Sequence, residues 1–133
     1  MQRVFLDANV LFSAVYREQA GLLRLWRLAG VELMTSDYAA QEAAANLTDP
    51  AQRNRLTNLL KTLAIIPHPR GMPSLPAGVH LSEKDAPILL AAMTAGAVIL
   101  LTGDKIHFGR YFGKKIGDVR ILPPGDFLRE REQ

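Results

Sequence analysis

The sequence predicts an α/β fold in which a central, mostly parallel β-sheet is flanked by helices. Two observations support this prediction. The first is that short predicted strands alternate with segments of helical periodicity. The second is that each predicted strand is almost entirely apolar, which is typical of parallel strands that are buried on both faces. The chain has 133 residues, of which 48% are hydrophobic. We therefore expect one compact domain spanning residues 1–133.

The predicted strands and helices alternate along most of the chain. Strands are expected at residues 4–6, 31–35, 64–66, 97–101 and 119–122. Helices are expected at residues 10–16, 21–28, 37–46, 50–63, 82–96 and 125–130. Ser36 is a typical helix N-cap, and Gly30 is typical of the residue that follows the end of a helix. The prolines between residues 67 and 76 predict a loop over residues 68–78.

The composition narrows the possible classes of protein. The chain contains no cysteine, which excludes disulfides, thiolate metal sites and cysteine nucleophiles. No secretory signal is recognisable, because Asp7 interrupts the first apolar segment. The longest apolar run, residues 86–101, is shorter than the roughly 20 residues that a membrane-spanning helix needs. We therefore expect a cytoplasmic protein without a membrane segment.

The positive charge of the chain is concentrated in one segment. The formal net charge is +3, and residues 105–120 contain a single acid, Asp118, among basic residues. These basic residues are Lys105, Arg110, Lys114, Lys115 and Arg120. Such a segment is a candidate phosphate-binding surface. Charge alone is also explained by a solvated basic loop, which is the more common case.

Two acids directly follow predicted buried strands. Asp7 follows the strand at residues 4–6, and Asp104 comes shortly after the strand at residues 97–101. Ligands of open parallel sheets bind at the carboxyl ends of the strands, so both acids are expected at the functional edge. Each acid taken singly could instead be an ordinary turn or cap residue.

Two further acids are candidates with different alternatives. Glu42 lies within a predicted helix among alanines and has no basic partner three or four residues away. An exposed helix surface would also explain this glutamate. Asp85 ends the sequence Ser82-Glu83-Lys84-Asp85, which resembles a capping box at a helix start. Local sequence alone therefore favours a capping role for Asp85.

Carboxylates that converge on one point require a compensating cation to stay ionised together. Hard oxygen ligands suit Mg²⁺ or Mn²⁺, which retain several waters and bind phosphates. Such ions can generate a hydroxide nucleophile and stabilise charge during phosphodiester hydrolysis. The joint hypothesis is therefore a metal-dependent nuclease site.

Three segments of the chain resemble motifs of the PIN-domain ribonucleases. They are FLDANVL at residues 5–11, DAPILLAA at residues 85–92 and LTGD at residues 101–104. Glu42 lies where that family has its second acid, and the order and spacing agree over essentially the whole chain. The resemblance implies a three-layer PIN-like fold and a Mg²⁺- or Mn²⁺-dependent endoribonuclease that hydrolyses RNA.

The resemblance also implies roles for individual residues and partners. Asp7, Glu42, Asp85 and Asp104 would form the catalytic, metal-binding cluster, with Asn9 and Thr102 as polar supports. Lys105, Arg110, Lys114 and Lys115 would be possible RNA-binding residues. The chain is most similar in style to VapC-like toxins of toxin–antitoxin modules, which implies a protein antitoxin and a homodimer. Where many relatives carry a further acid after the fourth motif, this chain has His107, which could contact phosphate but which we interpret as an ordinary surface histidine.

Other reaction classes lack their sequence signatures. The chain has no Gly-x-Ser-x-Gly elbow and no phosphate-binding loop of the Gly-x-x-x-x-Gly-Lys-Ser/Thr type. The serious alternative is a catalytically inactive PIN-fold module that binds RNA or a protein.

Overall fold

The computed structural model of the chain describes residues 1–68 and 74–132. The strands are β1 (Gln2–Leu6), β2 (Val31–Ser36), β3 (Ala64–Ile66), β4 (Ile99–Leu101), β5 (Lys115–Ile116) and β6 (Val119–Leu122). The α-helices are α1 (Ala8–Val15), α2 (Asp37–Ala45), α3 (Pro50–Leu60), α4 (Ala86–Thr94), α5 (Lys105–Phe108) and α6 (Pro124–Arg131). Two 3₁₀ helices span Gly21–Arg27 and Gly109–Tyr111.

The described residues form a six-stranded sheet in the order β3-β2-β1-β4-β6-β5. All neighbouring strands are parallel except β5, which pairs antiparallel with β6 at one edge. Val4, Phe5 and Leu6 of the central strand are each 0% exposed. Since successive side chains of a strand point to opposite faces, both faces of β1 are covered. The predicted three-layer α/β fold with a mostly parallel sheet is confirmed.

The strand order reverses direction at β1. The chain moves from β1 outward through β2 and β3, and then returns to place β4 on the other side of β1. In open α/β sheets the crevice beside such a switch point, at the carboxyl ends of the strands, is the preferred place for a ligand. Asp7 follows β1 at this edge and Asp104 follows β4.

The helix start predicted at Ser36 is confirmed. The Ser36 hydroxyl accepts a hydrogen bond from the backbone N–H of Ala39 at 3.0 Å, which satisfies a free donor in the first turn of α2. Asp49 caps α3 in the same way by accepting from Ala51 at 2.8 Å, with Pro50 in the first turn.

The helix predicted at residues 21–28 is a 3₁₀ helix, and its predicted end is wrong. Leu22, Leu25 and Leu28 are spaced by three residues, which matches the three residues per turn of a 3₁₀ helix. The helix ends at Arg27, and Leu28 is extended. Gly30, with a φ of +75°, therefore belongs to the turn before β2 and does not follow the helix end.

The helix start predicted at Ser82 is also wrong, since α4 begins at Ala86. Ser82 instead opens a turn in which its carbonyl accepts hydrogen bonds from Asp85 and Ala86. Pro87 gives the physical reason. A helix that began at residue 82 would place Pro87 in its second turn. There the proline ring, which has no N–H to donate, would clash with the carbonyl of residue 83.

Residues 105–117 contain short elements that the sequence did not indicate. They are α5, the 3₁₀ helix at Gly109–Tyr111 and the edge strand β5. Phe108 and Tyr111 are buried and anchor this segment to the core. Of the loop predicted at residues 68–78, residues 69–73 lie outside the described part, and residues 74–78 contain no helix or strand. Among the described residues, no helix is long and apolar enough to cross a membrane.

Candidate active site

A cleft of about 450 Å³ opens at the carboxyl edge of the sheet beside β1 and β4. Ten residues from four parts of the chain line it: Asp7, Ala8, Asn9, Phe12, Glu42, Asn46, Lys84, Asp85, Asp104 and His107. The four acids singled out from the sequence therefore face one cleft, although Asp7 and Asp104 are 97 positions apart in the sequence.

Asp7 lies at the bottom of this cleft and is 5% exposed. Its Oδ1 accepts the backbone N–H of Ala8 at 2.6 Å, so the residue also caps α1. Its Oδ2 accepts the hydroxyl of Thr102 at 2.8 Å and the amide of Asn9 at 3.1 Å. All of these partners are neutral. The carboxylate is thus held firmly in place without a neighbouring positive side chain among its hydrogen-bond donors.

The environment of Asp7 disfavours its charged form. Burial raises the pKa of Asp7 from the ordinary value of 3.8 to about 6. The nearby acids Asp85 and Glu42 also raise this pKa, while the hydrogen bonds from Thr102 and Ala8 lower it. A divalent cation in the cleft would reverse this balance, because its charge would favour the carboxylate.

Asn9 and Thr102 connect the ends of β1 and β4. The Asn9 amide donates to the Thr102 hydroxyl oxygen at 3.2 Å, and its carbonyl oxygen accepts the backbone N–H of Gly103 at 2.8 Å. The Thr102 hydroxyl oxygen also accepts the backbone N–H of Asp104 at 3.2 Å. The two residues proposed as polar supports therefore form one hydrogen-bonded network with Asp7.

Asp104 caps α5 and contacts His107. Its Oδ1 accepts the backbone N–H groups of Ile106 and His107, and its Oδ2 lies 2.7 Å from Nδ1 of the His107 ring. Partial burial raises the pKa of Asp104, but the hydrogen bonds from His107 outweigh burial, and the pKa is lowered overall. The same contact with Asp104 raises the pKa of His107, to which the charge of Asp85 adds.

Asp85 both stabilises a turn and faces the cleft. Its backbone N–H donates to the Ser82 hydroxyl oxygen at 3.2 Å, and that hydroxyl donates to Asp85 Oδ2 at 2.8 Å. The predicted pairing of Ser82 with Asp85 is therefore present, although the helix starts later. The Asp85 side chain is 13% exposed, and its Oδ2 lies 3.5 Å from Nδ1 of His107. The capping role predicted for the Asp85 carboxylate is wrong, since it makes no cap hydrogen bond to α4, and the carboxylate lines the cleft instead.

Glu42 reaches the cleft from α2, where Tyr38 is its neighbour one turn earlier. Partial burial and the charge of Glu42 raise the pKa of Tyr38. The Tyr38 hydroxyl donates to the backbone carbonyl of Lys84 at 3.0 Å, which ties α2 to the turn that carries Asp85. This contact holds α2, which carries Glu42, beside the turn that carries Asp85.

His107 lies at the surface as expected, but its surroundings are not those of an ordinary surface histidine. The ring is half exposed, but it lines the cleft and contacts Asp104. His107 stands three residues after Asp104, and the two side chains meet because Asp104 caps α5, a helix that the sequence did not indicate. Phe12, Asn46 and Lys84 also line the cleft without having been singled out, since nothing in their local sequence distinguishes them from surface residues.

The basic segment at residues 105–120 does not form one surface at the cleft. Lys105 directly follows Asp104, at the carboxyl end of β4. Lys115 is paired with Arg120, which is in register with Ile99 at the start of β4. Arg120 also forms a bidentate ion pair with Glu130. None of these five basic residues lines the cleft, and Lys105 is the one adjacent in sequence to a cleft residue, Asp104.

The fold and the cleft define an α/β protein with a carboxylate cluster at the switch point of a parallel sheet. The sequence pattern of the PIN domain family matches residues 3–106. The chain therefore belongs to the PIN domain family. Among curated proteins, none matches the chain significantly.

Several solved structures share the fold. One is a toxin–antitoxin complex from Klebsiella pneumoniae, with 21% identity, a TM-score of 0.65 and coverage of 91% of this chain and 97% of the other. DNA-bound VapBC from Salmonella typhimurium has 14% identity, a TM-score of 0.61 and coverage of 93% and 99%. VapBC2 from Rickettsia felis, bound to a DNA fragment from its promoter, has 14% identity, a TM-score of 0.60 and coverage of 92% and 98%. At these identities the similarity shows the shared fold.

Proposed function

We propose that the chain is a divalent-metal-dependent endoribonuclease and the toxin of a toxin–antitoxin pair. The observation that carries this proposal is the cleft in which Asp7, Glu42, Asp85 and Asp104 converge. Buried Asp7 has only neutral hydrogen-bond donors and a raised pKa, so a cation bound in the cleft would favour its charged form. Membership of the PIN domain family supports the same interpretation.

The four carboxylates would hold Mg²⁺ or Mn²⁺, since their oxygen donors suit both ions. When bound, such an ion supplies a hydroxide nucleophile at neutral pH and stabilises the charge that develops on the phosphate. Asn9 and Thr102 would keep the Asp7 carboxylate oriented through the contacts described above. Lys84 at the cleft and Lys105 beside it would attract the RNA backbone.

The proposed partners follow from the fold relatives. The solved structures with this fold include toxin–antitoxin complexes, which supports a protein antitoxin that binds this chain. We also propose a homodimer, as the resemblance to VapC-like toxins implies. Light scattering of the purified chain would report its mass in solution. Co-expression with a small reading frame adjacent to its gene would show whether that product suppresses a growth defect caused by this chain alone.

RNA cleavage tests the catalytic part of the proposal. The wild type would be compared with Asp7→Asn and Asp104→Asn in Mg²⁺, Mn²⁺ and EDTA. Asp118→Asn is the matched control, because Asp118 is an exposed acid in the turn between β5 and β6. We expect a loss of about 100-fold or more in either site variant, since charge stabilisation of several kcal/mol would be removed. The control should retain wild-type activity.

The outcomes separate the proposal from its alternative. Cleavage that persists in EDTA and in both site variants would rule out the metal-cluster mechanism. Tight RNA binding without metal-dependent cleavage would instead identify an inactive PIN-fold binding module.

A further inference from the structure

His107 forms a compact group with two of the four acids. Its Nδ1 lies 2.7 Å from Oδ2 of Asp104 and 3.5 Å from Oδ2 of Asp85. Each of the three residues offers one ligand atom, and these atoms lie within 4.8 Å of one another. The group therefore contains an imidazole nitrogen in addition to carboxylate oxygens.

These separations match the spacing of atoms that share one metal ion. For an ion about 2.1 Å from each ligand, neighbouring ligand atoms are about 3.0 Å apart in octahedral and about 3.4 Å apart in tetrahedral geometry. The two measured distances from His107 Nδ1 lie on either side of these values. The two carboxylate oxygens lie within 4.8 Å of each other, so the side chains would draw together around the ion for all three atoms to enter one coordination sphere.

The fold holds the imidazole in this position. The His107 backbone N–H donates to Asp104 Oδ1 at 3.0 Å, and the next residue, Phe108, is 0% exposed. The short helix α5 thus cannot rotate His107 away from the cleft without exposing Phe108. Asp85 is held on the other side by its two hydrogen bonds with Ser82.

We propose that His107 is a metal ligand, and that it joins Asp85 and Asp104 in a mixed nitrogen–oxygen site that prefers Mn²⁺ to Mg²⁺. This inference rests on the proposed metal-dependent function and refines the chemistry of that site. Imidazole is a common ligand of transition-metal ions, whereas Mg²⁺ strongly prefers oxygen ligands and near-ideal octahedral geometry. A histidine in the coordination sphere therefore shifts selectivity away from Mg²⁺.

The direct test is electron spin echo spectroscopy of Mn²⁺ bound to the purified full chain. Modulation from a directly coordinated ¹⁴N nucleus is expected in the wild type and should be absent in His107→Gln. His80→Gln is the matched control, because His80 does not line the cleft. This variant should retain the nitrogen modulation. The readout detects the ligand itself and does not depend on cleavage.

Calorimetry with Mn²⁺ and with Mg²⁺ tests the selectivity. Loss of an outer partner of a metal ligand already costs 10–100-fold in metal affinity, so we expect His107→Gln to weaken Mn²⁺ binding at least about tenfold. Mg²⁺ binding should change much less. His107→Asp converts the group to oxygen ligands, and we expect it to lower the ratio of Mn²⁺ to Mg²⁺ affinity relative to the wild type.

Failure of this inference can be distinguished from failure of the proposed function. Mn²⁺ that binds the wild type without nitrogen modulation would mean that His107 only orients Asp104 through a hydrogen bond. The inference would then be wrong, while the metal-dependent function could stand. If the wild type binds neither Mn²⁺ nor Mg²⁺, both proposals fail together.

Discussion

The substitution Asp7→Asn should make the metal-free protein less sensitive to pH between 5 and 8. In the folded protein the pKa of Asp7 is raised to about 6 by burial, whereas an unfolded chain titrates near 3.8. Between these values the folded state binds more protons than the unfolded state. The stability contributed by protonated Asp7 is therefore present at low pH and lost as pH rises through about 6.

The magnitude follows from the same pKa values. A rise from 3.8 to about 6 corresponds to about 3 kcal/mol in total. Of this total, about 1 kcal/mol separates the wild-type stability at pH 5 from that at pH 8. The asparagine of the variant cannot titrate, and any cost of fitting its amide next to Asn9 and Thr102 is the same at both pH values. The pH dependence therefore isolates the buried charge.

Urea denaturation in EDTA measures this effect. The free energy of unfolding would be determined for the wild type, Asp7→Asn and the control Asp118→Asn at pH 5 and pH 8. We expect the stability of Asp7→Asn relative to the wild type to be about 1 kcal/mol more favourable at pH 8 than at pH 5. An equal difference at both pH values, or a change of the opposite sign, would refute the reasoning about buried Asp7.

Three further predictions concern the support network, the cation and the basic segment. Thr102→Val should lower the free energy of unfolding in urea by about 1–3 kcal/mol, because buried Thr102 is the hydrogen-bond partner of both Asp7 and Asp104; an unchanged midpoint would contradict this. Mn²⁺ at about 100 times its Kd should stabilise the wild type by about 2.7 kcal/mol in thermal unfolding, and EDTA should remove the effect. Mn²⁺ should stabilise Asp7→Asn against thermal unfolding less than it stabilises the wild type. Lys105→Ala should reduce the slope of the logarithm of the binding constant for single-stranded RNA against the logarithm of the salt concentration by about 0.7, and Lys115→Ala should leave this slope unchanged. Equal slopes in the two variants would exclude a special role for Lys105.

The parts of the fold that the sequence predicted are those in which local and tertiary preferences agree. Residues 4–6 of β1 and the three residues of β4 are buried, so these segments are apolar at every position. Ser36 starts α2 because its hydroxyl caps the helix whatever the tertiary context. The parallel sheet follows directly from such elements.

The elements that were predicted wrongly are those whose local sequence fits two different structures about equally well. Apolar residues near residue 25 fit a 3₁₀ helix as well as an α-helix. Ser82 was a plausible N-cap, but Pro87 sets the helix start nearer to its own position. The edge strand β5 is two residues long and exists because it pairs with β6, which no local pattern indicates.

The candidate site was predictable where strand ends and family motifs coincide, as at Asp7 and Asp104. The positions of Glu42 and Asp85 relative to these acids depend on how α2 and the turn before α4 pack, including the contact of Tyr38 with Lys84. Such contacts join distant parts of the chain and leave no local signature. Asp7 and Asp104 each cap a helix and also line the cleft. A capping role for these acids therefore does not exclude a role in the site.

A crystal structure of the protein soaked in Mn²⁺ tests the central claim most directly. Anomalous scattering locates the ion independently of any assumption about the reaction. We predict a Mn²⁺ peak in the cleft, about 2.0–2.4 Å from carboxylate oxygens of Asp7 and Asp104. No peak in the cleft at saturating Mn²⁺, or a peak bound only elsewhere on the surface, would contradict the account.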